Sequence, residues 1–285
     1  MKIFRNIKIA AALMVLAMTI GLLSGCGGDK KDAAQSTEIQ GTVTASGSTA
    51  LLPLLKPGQE DFQKKNPKVT INIAGGGSFT GMNQVASGSV NIGNSDVDVP
   101  SELKDKGLVD HQVAVAPFVF VVNPDVTVDN LTQQQYVDIM TGKVTNWKEV
   151  GGKDQKITII HRAKSSGSRA TIAEIVLKGA AFTDNAIIQD SNGAVRAAIA
   201  STPGAIGYVD AAYVDQSIKS LAYNGVKYTS DTVINHTYPV FAYEHMFTKG
   251  QATGAVKAFI DYVMSKEFQE AFVEKNGFIP ITKMK

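Results

Sequence analysis

The chain has 285 residues, 44% of them hydrophobic and 19% charged, which allows one large domain or two smaller lobes. Its 28 basic and 26 acidic residues give a net charge of +2; without Lys2, Arg5 and Lys8 the remainder carries 25 against 26, or −1. A nearly neutral remainder gives no support to nucleic-acid binding or to a polybasic membrane surface, so any anion specificity must be local.

At the N-terminus, Lys2, Arg5 and Lys8 precede and edge an apolar run from Ile9 to Leu23. A basic start, a short apolar core and small residues before a cleavage point describe an export signal over residues 1–25. The run is shorter than the ~20 residues a spanning helix needs. Leu23-Ser24-Gly25-Cys26 resembles the bacterial lipobox, which implies lipid attachment at Cys26; the alternative is an unpaired thiol beside an ordinary cleavage site. Cys26 is the only cysteine, so no internal disulfide can form. Residues 26–39 are mostly small and polar, as suits a tether.

Beyond the tether, β-rich runs alternate with helical ones, the pattern of an α/β protein. Thr42–Ala45 reads as a strand, followed by Ser46-Gly47-Ser48-Thr49 and a helical stretch from Ala50 toward Asn66. Pro57-Gly58 predicts a kink or break in that helix, since Pro and Gly cost roughly 3 and 1 kcal/mol in a helix interior. Val69–Ile73 is a second strand, leading through Gly75-Gly76-Gly77-Ser78 into a helix to Val85. Val90–Gly93 is a short strand ending at Asn94-Ser95-Asp96. Val113–Val122, broken by Pro117, is too irregular for one continuous strand and is a candidate crossover between lobes. Leu131–Thr141 is helical, Ile157–His161 a strand, and Ser166–Lys178 a helix. Val195–Ile199 is helical, Thr202–Tyr208 a turn entering a strand, Tyr238–Tyr243 a second apolar run with a proline, and Ala255 to about Lys275 one long helix.

The chemistry concentrates in Ile159–Arg169, where a strand end meets a hydroxyl- and Gly-rich loop and then a helix start near Ser166. A helix start offers unpaired N–H groups and the positive end of its dipole. Arg162 adds a planar guanidinium suited to two oxygens of a tetrahedral oxyanion. Gly47-Ser48-Thr49-Ala50, Gly77-Ser78-Phe79-Thr80-Gly81 and Ser166-Gly167-Ser168 are three such junctions, which surround one anion if they converge and are three independent caps if they do not. Asp96 discriminates between anions. A carboxylate beside an oxyanion is repulsive unless the ligand has a proton to give it, as phosphate does near neutral pH and sulfate does not. Asp96 also reads as a plain turn residue, and Arg162 as a surface arginine paired with an acid. Lys164 and Arg169 read as solvent-facing or structural.

Enzyme motifs are missing. The glycine run lacks dinucleotide-fingerprint spacing, and there is no Walker A sequence and no Gly-x-Ser-x-Gly elbow. His111, His161, His236 and His245 have no metal-ligand spacing, so neither a catalytic residue nor a metal ligand is named.

Ala45–Thr49, Asn91–Asp96, Thr141–Trp147, Arg162 with Ser166–Arg169, Thr202–Tyr208 and Asn276–Pro280 occur in one order along nearly the whole mature chain. In these motifs the chain resembles the phosphate-binding lipoproteins that serve bacterial phosphate ABC importers. The resemblance implies a type II periplasmic-binding-protein fold of two α/β lobes, with residues 40–117 and 240–285 in the first and 118–239 in the second. Crossovers are then expected near Val115–Val119 and Tyr238–Ala242. It further implies phosphate binding by Ser48, Thr49, Ala50, Ser78 and Asp96 of the first lobe and Arg162, Ser166, Gly167 and Ser168 of the second, with Asp96 accepting the phosphate proton. Two departures stand out: Ala50 replaces a bulkier residue of some members, and Lys164 replaces an acid that orients the arginine in others. The implied protein is a non-catalytic, extracytoplasmic, lipid-anchored monomer that needs no cofactor. Its partners are inorganic phosphate and the permease subunits of an importer. Competing expectations are another oxyanion (sulfate or molybdate), a secreted phosphoryl-transfer enzyme, and an adhesin or sensory module on the same scaffold.

Overall fold

In the computed structural model, residues 38–284 are described; the export signal, Cys26 and most of the tether lie outside the described residues. The first half is wound as β1 (Gly41–Gly47), α1 (Leu52–Lys65), β2 (Val69–Ala74), α2 (Ser78–Ser87) and β3 (Ile92–Ser95). Alternation of Val69, Ile71 and Ile73 with polar residues gives β2 one buried and one exposed face. A long strand, β4 (Gln112–Val122), leads to α3 (Gln133–Met140) and the second half. There β5 (Thr158–Arg162), α4 (Gly167–Ile175), β6 (Ile187–Gln189), α5 (Asn192–Ser201) and β7 (Ala205–Asp210) follow, and the chain returns through β8 (Phe241–Lys249) to α6 (Gly254–Met264).

One curled sheet runs β2-β1-β3-β8-β4-β7-β5-β6, with the short strands Leu108–Val109 and Lys219–Ser220 at its flanks. β1 pairs in parallel with β2 and β3, and β5 in parallel with β6 and β7. Each half therefore has the same wiring, its first strand between the other two. In parallel α/β units the loops after the strands carry the ligand groups. Those loops hold Ser48, Ser78 and Asp96 in one half and Ser166–Ser168, Asn192 and Tyr213 in the other.

The strands β4 and β8 join the halves. β4 pairs with β8 through Gln112–Pro117 and with β7 through Phe118–Val122. Contrary to the sequence expectation, it is one continuous strand. Pro117, which has no N–H to give, stands where the pairing partner changes, a position a sheet tolerates. The predicted break at Pro57-Gly58 is also absent, because α1 runs unbroken from Leu52 to Lys65. Packing overrides propensity there. Leu54, Leu55 and Phe62 are buried, and the Phe268 ring lies where a Cβ on residue 58 would be, 2.5 Å away. The predicted last helix is instead interrupted at Ser265, whose extended backbone (ψ 150°) ends α6 while its hydroxyl caps the next turn at Phe268 N, 3.2 Å. α4 stops at Ile175, before Lys178 and Gly179 take left-handed conformations.

A large apolar core underlies both halves, and a smaller cluster of Met82, Val85, Ala86, Leu103 and Phe247 lies at α2. Phe62 meets Phe259 edge-on at 5.5 Å in the first, and Phe120 stacks on Tyr136 at 3.8 Å in the second; such pairs add about 0.5–1.5 kcal/mol beyond burial. Trp147 is a packing anchor, its Nε1 donating to the Gly204 carbonyl at 2.9 Å. No helix among the described residues is long and apolar enough to cross a membrane.

Candidate functional site

In the first half, Ser48 follows β1 and its backbone N–H donates to the Asn94 carbonyl at 2.9 Å. The Ser48 hydroxyl accepts from Ala50 N (3.0 Å) and Leu51 N (3.3 Å), so the Ala50 N–H is engaged within its own turn. Ser78 opens α2, and its hydroxyl accepts from the Asp96 N–H at 3.0 Å, which pins the end of β3 to that helix. Asp96 is 3% exposed.

In the second half, Arg162 ends β5 and is 1% exposed. Its Nη2 donates to the Asp190 carbonyl beyond β6 at 2.9 Å, which holds the guanidinium plane without an acidic side chain. Lys164 is exposed. Ser166 caps α4 by accepting from Arg169 N at 3.2 Å. Arg169 is structural: its Nη1 donates to the Arg162 carbonyl at 2.9 Å, and its guanidinium lies 4.3 Å from the Phe182 ring centre. Burial holds the His161 imidazole below its usual range, which suits a core role between Arg169 and the Arg162 and Thr183 carbonyls.

The two sets meet. The Ser168 hydroxyl donates to Asp96 Oδ2 at 2.8 Å, and the Phe79 N–H donates to the Ser165 carbonyl at 3.1 Å. Gly167 presses so closely on the first half that a Cβ there would lie 2.2 Å from Ser78 Oγ and 2.9 Å from Asp96 Cβ. The Thr49 hydroxyl accepts from the Asn192 backbone N–H (3.2 Å) and side-chain amide (3.1 Å), and the Tyr213 hydroxyl donates to the Thr49 carbonyl. Ser48, Thr49, Ser78, Asp96, Arg162, Ser166, Gly167 and Ser168 are all buried around this junction, with Ala50 behind it.

Three buried polar atoms at its centre have no partner: Asp96 Oδ1, Arg162 Nε and Arg162 Nη1. Buried polar groups are nearly always hydrogen-bonded, and orphaned ones mark ligand sites or strain. One acceptor facing two charged donors suits an oxyanion that carries a proton. Desolvation pulls the Arg162 guanidinium down from its usual range, and the Asp96 carboxylate opposes that. A groove lined by Phe79, Ala170, Thr171, Phe241 and Tyr243 reaches Asp96 from the surface.

Asn192, Tyr213, Asp190, Asp210 and Glu244 were not singled out from the sequence. Ser191-Asn192-Gly193 at the start of α5 was a usable signal, because it repeats the polar helix start seen at the other junctions. Asp210 and Glu244 are fully buried acids, each pushed well above the carboxylate range, first by desolvation and then by neighbouring acids. His245, scattered in sequence from any ligand set, sits between Asp110 (Nδ1, 2.8 Å) and Asp98 (Nε2, 3.6 Å), engaging the two acids through different ring nitrogens.

Comparison with known proteins gives a consistent picture. The family model described as the PBP superfamily domain matches residues 32–267. The phosphate-binding protein PstS of Bacillus subtilis is 43% identical over 99% of this chain and 96% of its own. That of Borreliella burgdorferi is 27% identical over 94% of this chain and 98% of its own. Among solved structures, a Clostridium perfringens substrate-binding protein assigned to phosphate ABC transport, with bound phosphate, superposes with a TM-score of 0.81. It is 34% identical and covers 85% of this chain and 100% of its own. An ABC-type phosphate transport receptor from Vibrio cholerae gives 0.69 at 26% identity, covering 83% and 99%.

Proposed function

The chain belongs to the PBP superfamily and, within it, to the PstS phosphate-binding proteins, and we propose that it is a receptor that captures inorganic phosphate outside the cytoplasm and delivers it to an ABC-type permease. Its fold is that of the type II periplasmic binding proteins, two α/β lobes with the ligand cleft between them. In this reading residues 40–117 with 240–285 form one lobe and 118–239 the other, and hinge closure brings them together on the ligand.

The observation that carries the reading is the orphaned trio of Asp96 Oδ1, Arg162 Nε and Arg162 Nη1. The guanidinium takes two phosphate oxygens, the hydroxyls of Ser48, Thr49, Ser78 and Ser166 and the backbone of the α4 start at Gly167 and Ser168 surround the remainder, and Asp96 takes the phosphate proton. Each charge-assisted hydrogen bond is worth about 1.5–3 kcal/mol in a site from which water is removed. Sulfate or molybdate has no proton for Asp96 and meets repulsion instead. The hydroxyl–carboxylate contact of the site, Ser168 on Asp96, joins the two halves, and the receptor binds without turnover, as substrate-binding proteins do. Lipid on Cys26 anchors it, and it acts as a monomer.

Isothermal titration of the mature protein with phosphate, arsenate and sulfate tests the proposal. Phosphate binds one to one, arsenate competes because it also carries a proton, and sulfate gives no heat. Absence of phosphate binding, equal sulfate binding, or hydrolysis of a phosphate ester overturns it. Mass spectrometry of the exported protein tests the anchor: diacylglycerol mass on Cys26, and release of Cys26→Ser into the medium or periplasm.

A further inference from the structure

Glu244 lies on β8, the strand that pairs with β3 on one side and β4 on the other. Its side chain is 0% exposed, and the ladder holds it opposite Ala114, with the register shifting directly after it. Both carboxyl oxygens are buried with no hydrogen-bond donor to satisfy them. The charged groups that face it are themselves acids: Asp96 at the end of β3, within side-chain hydrogen-bonding reach, and Asp210 at the end of β7. The neighbouring His245 is turned to Asp98 and Asp110. Arg162 acts on Asp96 and donates to the Asp190 carbonyl. No cation among the described residues pairs with Glu244.

Two carboxylates within reach of each other, away from water and without a cation, cannot both stay ionised. One proton removes the repulsion and satisfies both sides, because a carboxylic acid donates where a carboxylate accepts. Its place follows from the surroundings. Asp96 already receives the Ser168 hydroxyl on Oδ2 and lies in the field of Arg162, whereas Glu244 has neither.

We infer that Glu244 is held as the neutral acid and donates a hydrogen bond to Asp96 from behind the anion site, fixing the carboxylate that takes the phosphate proton. Desolvation and both neighbouring acids push the Glu244 carboxyl upward, in the same sense. Glu244 is thus a positioning residue. Asp96 has about four lone-pair directions; Ser168 and Glu244 occupy two, and the ligand proton is steered to what remains. Without that restraint the Asp96 carboxylate rotates away from the one orientation that reads a protonated oxyanion. The consequence for binding rests on the phosphate-receptor reading; the proton on Glu244 does not.

Infrared spectra of the ligand-free mature protein and Glu244→Gln at neutral pH test the proton directly. The wild type shows protonated-carboxyl absorption, shifted by exchange into D2O, that is smaller by one carboxyl in Glu244→Gln, while buried Asp210 contributes equally to both proteins. In parallel, phosphate titration of Glu244→Gln, which keeps a donor toward Asp96, gives affinity within about 3-fold of wild type, while Glu244→Ala binds about 10-fold or more weakly. Identical carboxyl bands in wild type and Glu244→Gln overturn the inference. So does a glutamine variant that binds no better than the alanine one. Should Glu244→Ala fail to fold, the band and the glutamine affinity still decide: an affinity loss beyond about 10-fold in Glu244→Gln also overturns it. A wild type that binds no phosphate removes the receptor reading, and the band then decides the proton alone.

Discussion

Replacing Asp96 with asparagine changes the unpartnered buried acceptor of the site while barely changing shape. In the wild type, Oδ2 holds the Ser168 hydroxyl at 2.8 Å and Oδ1 has no partner. Asparagine keeps an oxygen for Ser168, so the link between the halves survives, and it turns an N–H₂ toward the ligand. Phosphate then loses a charge-assisted bond worth about 1.5–3 kcal/mol, or roughly 10- to 150-fold. Sulfate loses its repulsion and gains a donor of similar size. The two changes act in opposite directions on the two anions, so the phosphate-over-sulfate preference falls by about 10²-fold or more, out of the roughly 10⁴–10⁵ such a site can build. The preference is the quantity to read. Phosphate affinity alone mixes the lost bond with relief from one negative charge. Competition calorimetry at pH 8 and fixed ionic strength measures it, since phosphate is then nearly all singly protonated. A preference unchanged within about 3-fold in Asp96→Asn refutes the assignment of selectivity to this carboxylate.

Three further outcomes follow from the same geometry. Arg162→Lys loses the planar fork and its Asp190 tether, and phosphate affinity drops about 10²-fold by titration calorimetry. Gly167→Ala places a methyl 2.2 Å from Ser78 Oγ. It forces the halves apart, so phosphate binding weakens by about 10-fold or more while urea melts of the ligand-free protein shift by no more than about 3 kcal/mol. Stability against pH separates the buried acids from the buried histidine. Glu244 is raised in the folded state, so above its ordinary value of 4.5 the unfolded chain releases a proton that the folded chain keeps. Stability therefore falls by about 1.4 kcal/mol per pH unit for that group, until its folded pKa is passed. Glu244→Gln removes this loss, and its advantage over wild type in urea melts grows from pH 5 to pH 7. His161 is lowered by burial, so its contribution is lost as pH falls below its ordinary 6.5, and His161→Gln flattens that acid-side decline.

The residues legible in the sequence were those whose chemistry is local. Ser48, Ser78, Asp96, Arg162 and Ser166–Ser168 stand at a strand end or in the loop and helix start that follow one, where turn and capping groups announce themselves within a few residues. Asn192 and Tyr213 reach Thr49 only because β6 and β7 close against the first half, more than 140 positions away. Glu244 was invisible for another reason: an acid between Tyr243 and His245 reads as one polar residue on an edge strand, and only the pairing of β8 with both β3 and β4 buries it. The misjudged elements fail in the same way. Pro57 and Pro117 discourage helix and strand locally, yet α1 is held by Phe268 and the core, and Pro117 falls where β4 changes partner. The break at Ser265 was missed because a serine that caps is indistinguishable, in sequence, from a serine within a helix.

The bonds between the halves are of two kinds. Asn192 to Thr49, Tyr213 to the Thr49 carbonyl and Phe79 to the Ser165 carbonyl are made by the protein with itself and are the same whatever anion is held. Their free energy enters the closing equilibrium as a constant added equally for every ligand, and so cancels from any ratio of affinities. Asp96 and Arg162 supply the terms that do not cancel. Gain and selectivity are thus adjustable by separate sets of residues: Tyr213 or Asn192 can retune how much anion is captured at a given concentration without altering which anion is chosen.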